Sequence, residues 1–100
     1  MTSSIDIPHD QLASFCRRWN IAELSLFGSV LRDDFGPDSD VDVLFEFLPG
    51  ATYGIDEHME MVAELREIFG RRVDLVRKGS LRNPYTRHEI LSTRRVIHAA

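Results

Sequence analysis

Two aspartates, Asp40 and Asp42, punctuate an otherwise apolar run that ends at Phe47. Side chains alternate across an extended strand, so Val41, Val43, Phe45 and Phe47 share one wholly apolar face, which belongs in a core. Asp40 and Asp42 then project together from the opposite face, with β-carbons roughly 7 Å apart. Two carboxylates this close repel each other, and a hard divalent cation is the natural compensation. Magnesium takes oxygen ligands, commonly one or two carboxylates completed by substrate phosphates. The run Val73-Asp74-Leu75-Val76 repeats the alternation and leaves Asp74 on a polar face. If the two strands are neighbours, three carboxylates meet on one patch. A two-metal site needs such a patch, because its ions sit about 4 Å apart and clamp the attacking and leaving oxygens.

Gly28-Ser29 precedes this acidic stretch. A glycine between strand and helix lets the backbone turn sharply and approach a ligand closely. A helix starting near Ser29 would aim free N–H groups at an anion, and the Ser29 hydroxyl would add to them. Arg32 returns three residues later to the same helix face. It is placed either to contact phosphate or to pair with Asp34 or Asp38. The chemistry implied is the handling of a metal-bound polyphosphate.

Other readings of these residues are weaker. Asp38-x-Asp40-x-Asp42 resembles the start of a calcium loop, but such a loop needs Gly at its sixth place and Glu at its twelfth. Val43 and Pro49 stand there instead. Glu46 shares the face of Asp40 and Asp42 and reads as a solvated strand-end charge. His9, His58, His88 and His98 lack zinc-ligand spacing. Arg82, Arg87, Arg94 and Arg95 suit a solubilising tail, or a triphosphate or acidic surface. Tyr53 and Tyr85 read as packing or surface residues.

The elements that must position this chemistry follow from periodicity. Leu12, Phe15, Cys16 and Trp19 have helical spacing over Pro8 to Asn20, with Asp6 as N-cap and Pro8 in the first turn. Ile21 to Phe27 is a strand ending at Gly28, followed by one or two helical turns over Ser29 to Arg32 and a loop to Ser39. Asp40 to Phe47 is the second strand. Ile55 to Phe69 is a helix with Ile55, Met59, Val62, Leu65 and Phe69 on its inner stripe and Gly70 as its stop. Arg72 to Val76 is a third strand. A last helix starts near Pro84 or Tyr85, and Val96 and Ile97 make a short apolar end. This order describes an α/β (α+β) chain: a small mixed β-sheet flanked by helices.

One hundred residues, 43% hydrophobic and 28% charged, suit a single domain over 1–100. No apolar run reaches the roughly 20 residues of a membrane span, and the first residues carry no secretory signal, so a cytoplasmic protein is expected. Cys16 is the only cysteine, which excludes an internal disulfide and suits a buried thiol. The formal net charge of -4 argues against nucleic acid as a direct partner. The charge is uneven: residues 1–50 hold three basic and nine acidic side chains, and residues 51–100 hold nine and seven.

The run Gly28-Ser29-x-x-Arg32, then Ser39-Asp40-x-Asp42 and apolar residues, resembles the motif of the DNA polymerase β-like nucleotidyltransferases. The short length and the later Val-Asp-Leu-Val resemble its minimal branch, the MNT proteins, often encoded beside HEPN-domain partners as antitoxins. That resemblance implies the polymerase β-like core. It implies Gly28 and Ser29 as binders of the nucleotide phosphates, and Arg32 and Ser39 of the same run are further candidate nucleotide-binding residues. Asp40, Asp42 and Asp74 become ligands of two Mg²⁺ ions, with Asp74 the candidate base, and ATP becomes the substrate. The expected acceptor is a hydroxyl, a tyrosine of a HEPN toxin, because so short a chain needs a partner to present one. An antitoxin that acts by binding alone is the alternative. A small-molecule nucleotidyltransferase of the aminoglycoside type ranks last, because those carry additional acceptor-binding structure.

Overall fold

The computed structural model describes residues 7–31, 39–51 and 54–99. Its centre is β2 (Val41–Phe47), where Val41, Val43, Phe45 and Phe47 are all buried as the alternation requires. On one side β2 pairs antiparallel with β1 (Ile21–Phe27), and on the other it pairs parallel with β3 (Val73–Arg77). Parallel neighbours need a crossover, and α2 (Ile55–Phe69) supplies it. The sheet order is β3-β2-β1-β4.

The core lies under one face of this sheet. α1 (His9–Trp19) contributes Leu12, Phe15 and Cys16, and α2 contributes Met61 and Leu65. Trp19 donates its indole N–H to Glu64 at 3.0 Å, and Arg18 pairs with the same carboxylate, so polar contacts at the rim join the two helices. α1 ends at Asn20, whose left-handed backbone (φ 58°) lets its N–H bond to the Cys16 carbonyl. In β1, Ile21, Leu24 and Leu26 all reach the core. A register shift between Ile21 and Glu23 reconciles their three-residue gap with strand alternation.

Most elements lie where periodicity places them: β1 and α2 match residue for residue, and the others shift by one. Pro8 occupies the N-cap position of α1, while Asp6 lies outside the described residues. Two expectations are corrected. The chain end holds a fourth strand, β4 (Arg95–Ala99), antiparallel to β1. It is an edge strand with only partial burial, so its existence depends on pairing with β1 rather than on its own pattern. The inner stripe of α2 is also rotated from the expected one. Met61 and Leu65 are fully buried, with Val62, Ile68 and Phe69 packed beside them, whereas Ile55 and Met59 are 73% and 61% exposed. This helix carries apolar residues around much of its girth, so spacing alone does not choose the side that meets the sheet.

The second face of the sheet is partly covered. Leu44 and its register partner Ser25 are both buried there. α3 (Pro84–Thr93) is capped by Asn83, whose side chain accepts from the Tyr85 and Thr86 N–H groups, and it buries no residue of its own. Glu23 anchors this region. Arg94 donates to it at 2.9 Å, Lys78 lies 3.7 Å away, and Ser25 donates its hydroxyl at 3.3 Å.

Two outcomes test this packing. Leu65→Ala is expected to cost about 2–5 kcal/mol in chemical denaturation, whereas Met59→Ala changes stability by less than about 1 kcal/mol. Burial pushes the Cys16 thiol up to about 12, so in the native protein at neutral pH it is expected to resist a thiol reagent that labels the unfolded chain promptly.

Candidate active site

The site is assembled by strand register. Across β1, β2 and β3, Phe27 pairs with Asp42, and Asp42 pairs with Asp74. Neighbouring strands run about 4.8 Å apart, so Asp42 and Asp74 leave the same face as nearest cross-strand neighbours. Val73 and Leu75 point the other way, and Asp74 is exposed.

Gly28 follows Phe27 directly, which brings the turn against the same carboxylate. Its φ is +74°, a conformation that side chains rarely adopt. A β-carbon built on Gly28 would also lie only 2.3 Å from the Asp42 Oδ2. Two independent constraints therefore reserve the position for glycine. Gly28–Leu31 forms a 3-10 turn, whose local N–H groups are available to attract an anion. Ser29 lies in this turn by its backbone, and its side chain is outside what is described, as is all of Arg32.

Asp40 sits one residue before β2. Its carboxylate is engaged by Arg72, with Nε 3.0 Å from Oδ1. The Val41 N–H donates to the Arg72 carbonyl at 2.9 Å, and Arg71 donates to the Ser39 carbonyl at 3.3 Å. The structure thus gathers Gly28, Asp42 and Asp74 closely and holds Asp40 at the margin with Arg72. Among the described residues, no group of three or more His, Cys, Asp or Glu is arranged to hold a metal ion. Glu46, further along the same face, accepts from Arg77 at 3.2 Å and from the Phe47 N–H at 2.9 Å, so it is tied up locally.

Two features of the site were not foreseen from sequence. The partnership of Arg72 with Asp40 was signalled only by the general gathering of arginines after Arg71. The other is a groove of about 520 Å³ between the turn and α3, lined by Phe27, Gly28, Leu31, Thr86, Glu89 and Ile90 with Thr93. That volume is in the range of small-ligand sites. No local pattern in Pro84–Thr93 announces it.

Known proteins resemble the chain as a whole. The nucleotidyltransferase domain model matches residues 10–97, a span that contains every element of the site. A Methanocaldococcus jannaschii protein, MJ1379, provisionally named a protein adenylyltransferase, is 33% identical over 73 residues, 73% of either chain. The protein adenylyltransferase MntA of Thermococcus cleftensis is 38% identical over 68 residues, 66% of this chain and 65% of its own. A chain in the solved structure of a tri-AMPylated Shewanella oneidensis HEPN toxin in complex with MNT antitoxin superposes with a TM-score of 0.65. It has 16% identity, over 92% of this chain and 70% of that one, a likeness of fold. A solved structure provisionally named a minimal nucleotidyltransferase is 31% identical, over 86% of this chain and 85% of that one, with a TM-score of 0.69. With the domain match spanning nearly the whole chain, the protein belongs to the nucleotidyltransferase domain family, in its minimal (MNT) branch.

Proposed function

We propose that this nucleotidyltransferase moves AMP from ATP to a hydroxyl group, a tyrosine of a HEPN-domain toxin, and so acts as an antitoxin. The observation that carries the reading is the pairing of Asp42 with Asp74 beside Gly28. The names of the relatives and the contents of the solved neighbour support the nucleotide and the partner. We take residues 1–100 as a single catalytic domain.

The donor set suits magnesium: hard carboxylate oxygens in reach of a turn that leaves room for phosphate. Magnesium rarely needs an all-protein cage, because substrate phosphates and waters complete its shell. A closed three-ligand cluster is therefore not required before nucleotide arrives. Asp40, Asp42 and Asp74 would hold the metal, two ions in the full site, and the metal would neutralise the triphosphate and acidify the acceptor hydroxyl. The remaining work falls to the chain. The turn at Gly28-Ser29 receives the phosphates, with Arg32 and Ser39 as further nucleotide contacts. Asp74 takes the proton of the acceptor hydroxyl as its oxygen bonds to the α-phosphorus. The bond to the β-phosphate breaks in line, and pyrophosphate leaves.

Mass spectrometry of a co-expressed HEPN partner tests the proposal. The expected result is added AMP on tyrosine with the wild-type protein, and at least about a 100-fold slower transfer with Asp42→Asn or Asp74→Asn. A partner that is silenced while unmodified, or silenced equally by Asp42→Asn, would replace this reading with neutralisation by binding alone. Gly28→Ala is expected to act differently from a simple stability mutant. The strained φ costs about 1–2 kcal/mol, while the added methyl displaces the Asp42 carboxylate, so transfer is lost in a protein that still unfolds cooperatively.

A further inference from the structure

The parallel register that sets Asp74 beside Asp42 has a second consequence one step earlier in the strands. Val41 pairs with Val73, so Arg72 stands beside Asp40 just as Asp74 stands beside Asp42. The hydrogen bond from the Val41 N–H to the Arg72 carbonyl ties the two backbones together at this point. The guanidinium reaches Asp40 at 3.0 Å. The two adjoining rows Asp40/Arg72 and Asp42/Asp74 therefore bring together three carboxylates and one guanidinium, and Arg72 supplies positive charge beside this acidic patch. A cation that binds Asp40 competes with Arg72 for the same oxygen.

We infer that Arg72 is a positioning residue that holds Asp40 in the metal-free protein and disfavours bare divalent cations, yielding the carboxylate when nucleotide accompanies the metal. The inference rests on the reading of Asp40 as a metal ligand. Its logic is charge exchange. A bare cation displaces the guanidinium and leaves it beside a positive ion. A metal–nucleotide complex offers the released guanidinium a phosphate oxygen instead, a partner that arginine matches well. Both side chains are at least half exposed, 67% for Arg72 and 50% for Asp40, so solvent moderates the competition.

Mn²⁺ binding to the full chain, read from the electron paramagnetic resonance of the free ion, tests this without any turnover. Without nucleotide, Arg72→Gln is expected to bind Mn²⁺ about three- to five-fold more tightly than wild type, the scale of an exposed ion pair. Arg72→Lys keeps the charge and is expected to stay close to wild type. Adding Asp40→Asn to Arg72→Gln is expected to erase the gain. Equal affinity of wild type and Arg72→Gln overturns the inference and leaves the active-site reading standing, as does a gain that survives Asp40→Asn. Failure of every form to bind Mn²⁺, even with a non-hydrolysable ATP analogue present, overturns both.

Discussion

Parallel pairing of β2 with β3 is the constraint on which the site depends. It sets Asp42 against Asp74 and Asp40 against Arg72, and it leaves Val41, Val43, Val73 and Leu75 to the core. Strand side chains have a period of two, so a slip of one residue in β3 would carry Asp74 into the core and turn Leu75 outward. Burial of Leu75 against α2 and the first strand pair therefore protects the register, and with it the carboxylate geometry. The hydrophobic face of the sheet selects its own arrangement, and the chemistry on the other face follows from that choice. Gly28 completes the arrangement, because no other residue combines its φ with its closeness to Asp42.

The two faces of the sheet are held by different physics. Under one, α1 and α2 bury a continuous apolar cluster, the principal source of stability in a chain this small. Over the other, α3 has no buried residue and is attached through charge. Arg94 reaches Glu23, and Arg87 donates to the Lys78 carbonyl at 3.1 Å while Lys78 faces the same glutamate. Glu23 is thereby a structural anchor for the helix that walls the groove beside Gly28. Polar attachment of this kind contributes less stability than burial, and it leaves the site side of the sheet open to a ligand without exposing the core.

Much was legible in the residues themselves wherever a feature is local. The alternation at Asp40–Phe47 identifies an apolar face and an acidic one without knowledge of any partner strand. The helical spacing of Leu12, Phe15 and Cys16 does the same for α1, and Gly70 marks the end of α2 because few residues accept a left-handed backbone. The solitary Cys16 reads as buried for the same reason as its neighbours. Gly28 is harder: a turn is evident from its context, but its contact with the Asp42 carboxylate is not.

What the chain alone determined is thus the inventory: which residues could bind metal and phosphate, which strand faces are apolar, and where most elements begin and end. Tertiary structure decided what depends on distant partners. β4 exists because β1 offers it hydrogen bonds, although Val96 and Ile97 gave it little apolar pattern of its own. The side of α2 that is buried was chosen by the sheet it meets, from a helix apolar on more than one side. Arg72 became the partner of Asp40, and α3 became a wall of the groove, through contacts across 32 or more residues. Periodicity reports the geometry of a segment with itself, and pairing between segments is settled only when the backbone hydrogen bonds and the core select one register.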